Sequence, residues 1–217
     1  MKEIEQYIDH TLLKPTAVEK DILRICDEAI KENFYAVCIP GCFVKAASSY
    51  LKKSRVKVAT VVGFPLGFSS IKSKVQEATL YTNDGADEID MVINIGHVKS
   101  EHYDQIKAEV AQIKEAIGTS ILKVIIETCY LTNQEKVTLC KHLVKTKADF
   151  IKTSTGYGTG GATIEDIKLI KSVIGNSKKI KASGGIKDYN TAKLYIDHGV
   201  ERIGTSSALD IVKQARL

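Results

Sequence analysis

Short apolar runs alternate with amphipathic helical patterns along the whole chain. The runs have the length and composition of buried strands. Three of the helical patterns have the spacing of a capping box, beginning at Thr16, Thr132 and Thr163, which satisfies amides at a helix start. The predicted strands are residues 7–11, 35–39, 56–62, 88–95, 122–126, 150–153, 179–182 and 202–205.

The regular alternation predicts how the strands pair. Residues 85–89, 147–151 and 199–203 enter a strand in the same way, through a turn residue and an acid. A helix between successive strands returns the chain to the same edge, so neighbouring strands run parallel. We predict an α/β fold, a single (β/α)8 TIM barrel over residues 1–217, with a doubly wound open sheet as the alternative. In such a barrel the active site lies at the carboxyl ends of the strands.

Two lysines stand at matching positions of neighbouring predicted strands. Lys152 follows the apolar residues Phe150 and Ile151 in the sixth run, and Lys181 occupies the matching place in the seventh. Lysine is rarely buried without a partner. Two close ammonium groups disfavour each other's charge, which leaves a nucleophilic free amine that forms a Schiff base with a carbonyl. The alternative is a structural or anion-binding pair of lysines.

The fourth run supplies a carboxylate. Asp90 lies between Ile89 and Met91, so alternation points its side chain towards the barrel interior or mouth. There it could pair with a lysine and move protons. The alternative is a structural salt bridge. Lys123, at the start of its run, is interpreted as structural.

Glycine- and serine-rich turns follow the seventh and eighth runs, at residues 183–186 and 204–208. In many barrels these two loops bind phosphate; the alternative is ordinary turn chemistry. Residues 156–161 match the G-x-G-x-x-G spacing, but no acid ends the following strand, as a dinucleotide site requires. A substrate loop is the better interpretation of this segment.

Composition narrows the possible functions. The net charge of +5 and the absence of Trp argue against a nucleic-acid binder. The longest stretch without charge, residues 58–71, is shorter than the ~20 residues of a membrane span. Five cysteines without C-x-x-C spacing indicate reduced thiols, and the acidic residues among positions 1–5 do not suit a signal peptide. We expect a cytoplasmic protein without membrane or nucleic-acid partners, and no histidine spacing indicates a metal site.

Four segments, in the correct order, resemble the motifs of the 2-deoxyribose-5-phosphate aldolase family. The segments are residues 9–15 (DHTLLKP), 88–96 (EIDMVINIG), 150–156 (FIKTSTG, with Gly158 following) and 181–186 (KASGGI). The resemblance implies a class I aldehyde-lyase with a barrel fold and no cofactor or metal. Such an enzyme cleaves 2-deoxy-D-ribose 5-phosphate reversibly to acetaldehyde and D-glyceraldehyde 3-phosphate in deoxynucleoside catabolism, and it forms a homodimer or homotetramer.

The resemblance also implies residue roles. Lys152 is the Schiff-base lysine, Lys181 lowers its pKa, and Asp90 relays protons through water. The residues implied to hold the phosphate are Gly184, Gly185, Ser206 and Ser207. Two features depart from some relatives: Tyr157 stands where they have lysine, and the sequence ends at Leu217 without their terminal tyrosine. The rival hypotheses are another phosphosugar barrel enzyme and a non-catalytic phosphosugar-binding protein.

Overall fold

The computed structural model describes residues 3–217. Residues 1 and 2 belong to the predicted domain and to the acidic segment of positions 1–5, and they lie outside the described residues. Its eight strands pair in parallel in chain order, and β8 pairs with β1 to close the barrel. The strands are β1 (Ile8–Thr11), β2 (Ala36–Ile39), β3 (Lys57–Val62), β4 (Glu88–Val92), β5 (Ile121–Ile125), β6 (Phe150–Lys152), β7 (Lys179–Ser183) and β8 (Arg202–Thr205). The predicted (β/α)8 barrel is confirmed, and the open sheet is excluded.

Helices follow the strands and cover the outside of the barrel. They are α1 (Glu19–Lys31), α2 (Val44–Leu51), α3 (Ile71–Asn83), α4 (Ile95–Lys99), α5 (Tyr103–Ile117), α6 (Asn133–Val144), α7 (Ile164–Ile174), α8 (Tyr189–Asp197) and α9 (Ala208–Ala215). Short 3-10 turns lie at Ile4–Tyr7, Gly41–Phe43 and Thr128–Tyr130. None of the helices described within residues 3–217 has the length and apolarity needed to cross a membrane.

Helix starts were predicted correctly at two of the three capping motifs. Thr132 caps α6 in a complete capping box, and the Thr163 side chain accepts a hydrogen bond from the Asp166 amide at the start of α7. The Thr16 prediction is wrong, because α1 begins only after Val18, whose amide donates to Asp21. Residues 14–17 instead form a turn, closed by the bond from the Ala17 amide to the Lys14 carbonyl at 3.0 Å.

The fourth apolar run continues beyond its strand. The sequence predicts a strand over residues 88–95, but β4 ends at Val92 and α4 begins at Ile95. Asn94 caps this short helix with extended backbone. Apolar composition alone therefore placed the strand correctly but could not locate its end, since buried strand and buried helix residues look alike.

The barrel interior is unusual because it is charged. Apolar strand residues such as Ile89, Val124 and Ile203 are fully buried in the main hydrophobic core. Seven ionisable side chains of the strands, each at most 3% exposed, form an ion-paired network: Asp9, Glu88, Asp90, Lys123, Lys152, Lys181 and Arg202. Buried charges require partners, so the strands must place these groups in register with one another.

Candidate active site

Asp90 lies at the centre of the charged network. Its Oδ1 accepts a hydrogen bond from Lys123 Nζ at 2.7 Å. Its Oδ2 accepts two, from Lys152 Nζ at 2.8 Å and from Lys181 Nζ at 2.7 Å. Strands β6 and β7 pair Lys152 directly with Lys181 in register, as the matching positions in the sequence predict. The structure thus brings together the three side chains that the sequence analysis singled out as catalytic candidates.

A second layer of charges supports this centre. The Arg202 guanidinium donates from Nε to Asp9 Oδ1 at 2.8 Å. It also donates to both carboxylate oxygens of Glu88. Lys181 also donates to Asp9, and Lys123 also pairs with Glu88. Neither Asp9 nor Arg202 is predicted from the sequence as part of the site. Asp9 lies between Ile8 and His10, so its run lacks the apolar neighbours on both sides that singled out Asp90.

The network holds four cations and three carboxylates, so one positive charge is in excess. Lys123, Lys181 and Arg202 each pair with two carboxylates. Lys152 pairs with Asp90 alone, through an oxygen that it shares with Lys181. Lys152 is therefore the amine that loses its proton at the least electrostatic cost.

The pKa shifts of Lys152, Lys181 and Asp90 agree with this count of charges in the network. Burial lowers the pKa of Lys152, the Asp90 charge opposes that effect, and the Lys181 cation lowers the pKa further, so it lies below its ordinary value. Burial also acts to lower the pKa of Lys181, but Asp9 and Asp90 outweigh it and raise that pKa. Burial would raise the pKa of the Asp90 carboxyl, yet the surrounding lysines hold it well below its usual range. The geometry supplies a nucleophile, a cation and a carboxylate.

A cavity of about 260 Å³ opens above Lys152 at the carboxyl ends of the strands. Its walls come from the segments that follow β1, β6, β7 and β8. Gly184, Gly185 and Ser206, all predicted phosphate-binding residues, line it. Ser207 does not; it lines a neighbouring cavity, and its amide donates to Thr205 Oγ1 at 2.9 Å.

Close backbone packing shapes the wall of this cavity that the turn after β7 forms. The Ala162 amide donates to the carbonyls of Ser183 at 3.1 Å and Gly184 at 3.2 Å. A Cβ on Gly161 would lie only 2.2 Å from the Gly184 carbonyl oxygen, so only glycine allows this approach. The glycine-rich segment 156–161 is therefore packed against the turn after β7, and its first residue, Gly156, lines the cavity.

Glu127, which is not predicted from the sequence as a functional residue, anchors the loop after β6. Its backbone is left-handed, with φ of 49°, and its side chain is buried. The carboxylate accepts hydrogen bonds from the Thr155 amide at 3.1 Å and from the Thr155 hydroxyl. Thr155 Oγ1 accepts from the Tyr157 amide at 3.0 Å, and the Tyr157 hydroxyl donates to the Leu13 carbonyl at 2.7 Å. This chain of bonds ties the loop to both sides of the cavity.

Removing the Glu127 carboxylate should destabilise the protein. In Glu127→Ala the buried Thr155 amide loses its acceptor, which costs about 1–3 kcal/mol. Glu127→Gln keeps one carbonyl oxygen for that amide and should lose less. The free energy of unfolding in urea measures both effects. Equal losses in the two variants, or no loss in Glu127→Ala, would show that these bonds do not hold the loop.

Within the described part of the chain, no group of three or more His, Cys, Asp or Glu side chains has a geometry that could hold a metal ion. His10, from the first resembling motif, lies outside the charged network and pairs through Nε2 with Glu28 Oε2 at 2.6 Å. Cys38 is buried in a small apolar cluster with Ala59 and Val61, as expected of a core thiol. All five cysteines are free.

Fold and site together define a (β/α)8 barrel enzyme with a lysine–carboxylate centre inside the barrel, beneath a cavity at the carboxyl ends of its strands. Residues 4–213 match the model of the DeoC/LacD family aldolases, and the chain belongs to that family. The family resemblance seen in the four sequence motifs is thereby confirmed.

Individual relatives agree over nearly the full length. A protein of Clostridioides difficile named deoxyribose-phosphate aldolase is 51% identical over 98% of this chain and 97% of its own. The solved structure "QR15, an Aldolase" has a TM-score of 0.95 at 41% identity, covering 100% of this chain and 97% of that one. A tetrameric deoxyribose phosphate aldolase of Aeropyrum pernix has a TM-score of 0.91 at 30% identity, covering 98% and 91%.

Proposed function

We propose that this protein cleaves 2-deoxy-D-ribose 5-phosphate reversibly to acetaldehyde and D-glyceraldehyde 3-phosphate through a Schiff base on Lys152. The observation that carries the proposal is the position of this amine. It is the least compensated cation of a buried network and it lines the cavity at the carboxyl ends of the strands. Membership of the aldolase family and the names of the relatives support the same reaction.

The chemistry requires a free amine first. Lys152 Nζ attacks the C1 aldehyde carbon, and loss of water gives a protonated imine. The C3 hydroxyl then gives up its proton, the C2–C3 bond breaks, and its electron pair moves towards the imine nitrogen to form an enamine. D-Glyceraldehyde 3-phosphate leaves. Protonation of the enamine at C2 and hydrolysis of the resulting imine release acetaldehyde and restore Lys152.

Asp90 and Lys181 supply the charge and protons around this intermediate. Asp90 is ionised and already within hydrogen-bond distance of Lys152 Nζ, so it stabilises the cationic imine. In our proposal Asp90 also relays protons through water. Lys181 remains protonated in the free enzyme, because its pKa is raised, and it is therefore a proton donor and a fixed cation.

The substrate phosphate would bind at the turns after β7 and β8. Gly184 and Gly185 line the cavity there, so their backbone amides would donate to the phosphate, and Ser206 in the same wall would add its hydroxyl. Ser207 lies one residue further, where α9 begins, and in this proposal its contribution comes from the helix start. We further propose one domain over residues 1–217, a cytoplasmic location and a homo-oligomer, since the named Aeropyrum pernix relative is tetrameric.

Borohydride trapping tests the reaction mechanism directly. Incubation with acetaldehyde and reduction should attach an ethyl group to Lys152, detected by mass spectrometry of the peptide that carries it. A non-catalytic phosphosugar-binding protein would give no such adduct. Absence of the adduct, together with absence of aldol cleavage of 2-deoxyribose 5-phosphate, would refute the proposed function.

A further inference from the structure

The charge of the cavity wall points to an anion-binding role for a residue without an assigned function. Three lysines line the cavity, and no Asp or Glu among the described residues does so. They are Lys14, Lys152 and Lys187. The Lys152 amine pairs with Asp90 and, in the proposed reaction, becomes part of the imine. Lys14 and Lys187 are therefore the two lysines available to bind a negatively charged part of the substrate.

Lys14 has an exposed side chain on a well-fixed backbone. Ahead of it, the Leu12 amide donates to the Cys38 carbonyl at 2.9 Å, and the Leu13 carbonyl accepts from the Tyr157 hydroxyl at 2.7 Å. Its own carbonyl closes the turn with Ala17. These hydrogen bonds hold the Lys14 backbone in place at the edge of the cavity, although its side chain is exposed to solvent.

The surroundings place Lys14 beside the proposed phosphate turn. Lys14 and Ser206 both line the main cavity, and both also line the neighbouring cavity. They therefore stand together at the boundary between the two. The neighbouring cavity contains Glu28 and Asp210, but Glu28 already pairs with His10 and Arg24. No ion pair is recorded for Lys14 itself among residues 3–217.

We infer that Lys14 binds the phosphate group of the substrate and determines the preference for phosphorylated over unphosphorylated sugars. The glycine and serine turns supply neutral donors to a phosphate, and a dianion there needs a cation within the same cavity. Lys14 meets it from the β1 side, next to the turn after β8. The inference rests on the proposed function for its substrate, whereas the phosphate contact itself can be tested separately.

Substrate discrimination provides the first test. The test compares kcat/KM for 2-deoxyribose 5-phosphate with kcat/KM for 2-deoxyribose. In Lys14→Gln the ratio of the two should fall about 10- to 100-fold, because KM for the phosphorylated sugar rises. Lys14→Arg keeps the charge and should retain most of the ratio. Lys20→Gln removes the same charge from the exposed surface of α1 and serves as the control for net charge.

Inorganic phosphate provides the second test, independent of catalysis. Isothermal titration calorimetry should show weaker phosphate binding to Lys14→Gln than to the wild type and Lys20→Gln. Circular dichroism checks that each variant is folded. Unchanged phosphate affinity in Lys14→Gln, an equal loss for both sugars, or a loss confined to Lys187→Gln would overturn the inference. A wild type that binds phosphate through Lys14 but forms no acetaldehyde adduct would refute the proposed function alone.

Discussion

Lys152→Ala is expected to abolish both borohydride trapping with acetaldehyde and aldol cleavage, with a fall in kcat of at least about 10³-fold. The reason is chemical, because no imine forms without the amine. The fold should survive, because Asp90 keeps Lys123 and Lys181 as partners and the network becomes neutral. Mass spectrometry of the reduced adduct and a coupled assay for glyceraldehyde 3-phosphate measure the two losses.

Two controls for Lys152→Ala check that the variant is folded and that no other lysine forms the adduct. Circular dichroism and thermal unfolding of Lys152→Ala should resemble those of the wild type. A variant that still formed the reduced adduct at another lysine, Lys181 above all, would contradict the assignment of the nucleophile. A variant that retained cleavage without any adduct would contradict the Schiff-base mechanism itself.

The barrel was predictable because each strand leaves a separate signal. A short apolar run flanked by a turn and a helical pattern recurs eight times, and parallel pairing follows from the helical crossovers. The pattern did not predict correctly where β4 ends or where α1 begins. Both are decided by local hydrogen bonds, such as the turn between Lys14 and Ala17, which hydrophobicity does not record.

The candidate site was predictable where a charge interrupts an apolar strand. Lys152, Lys181 and Asp90 each sit between buried neighbours, so alternation directs them into the barrel. Asp9 was missed because its run also contains His10 and Thr11, and one more polar residue was not exceptional there. Its closeness to Lys181 becomes visible only when the first and last strands pair.

The loop contacts were missed for a different reason. Glu127 binds Thr155 across 28 positions of sequence, and the Tyr157 hydroxyl reaches Leu13 across 144. Neither contact has a periodicity or a spacing that a sequence displays. Such contacts arise from the meeting of loops above a closed barrel, and that meeting depends on the tertiary structure rather than on any local segment.

Replacing Lys181 by leucine should move the acidic limb of imine formation to higher pH. Lys181→Leu removes a cation that lowers the pKa of Lys152 and leaves Asp90, which raises it, with one lysine fewer to neutralise it. The network then holds three cations and three carboxylates, so no excess charge favours the free amine. The pKa of Lys152 therefore rises, and each unit of rise lowers the free-amine fraction on the acidic side about tenfold. The pH profile of acetaldehyde adduct formation measures this shift.

Lys181→Arg separates the charge of this residue from its proton. Arginine preserves the excess cation but does not readily release a proton, so the pH profile should stay in place while the plateau rate of cleavage falls. Lys181→Leu, by contrast, should change both quantities. Asp9 keeps Arg202 as its partner in either variant, so no carboxylate of the network is left unpaired. If Lys181→Leu changed neither the profile nor the plateau, Lys181 would have no part in setting the pKa of Lys152 or in proton transfer, and the two-lysine mechanism would be wrong for this protein.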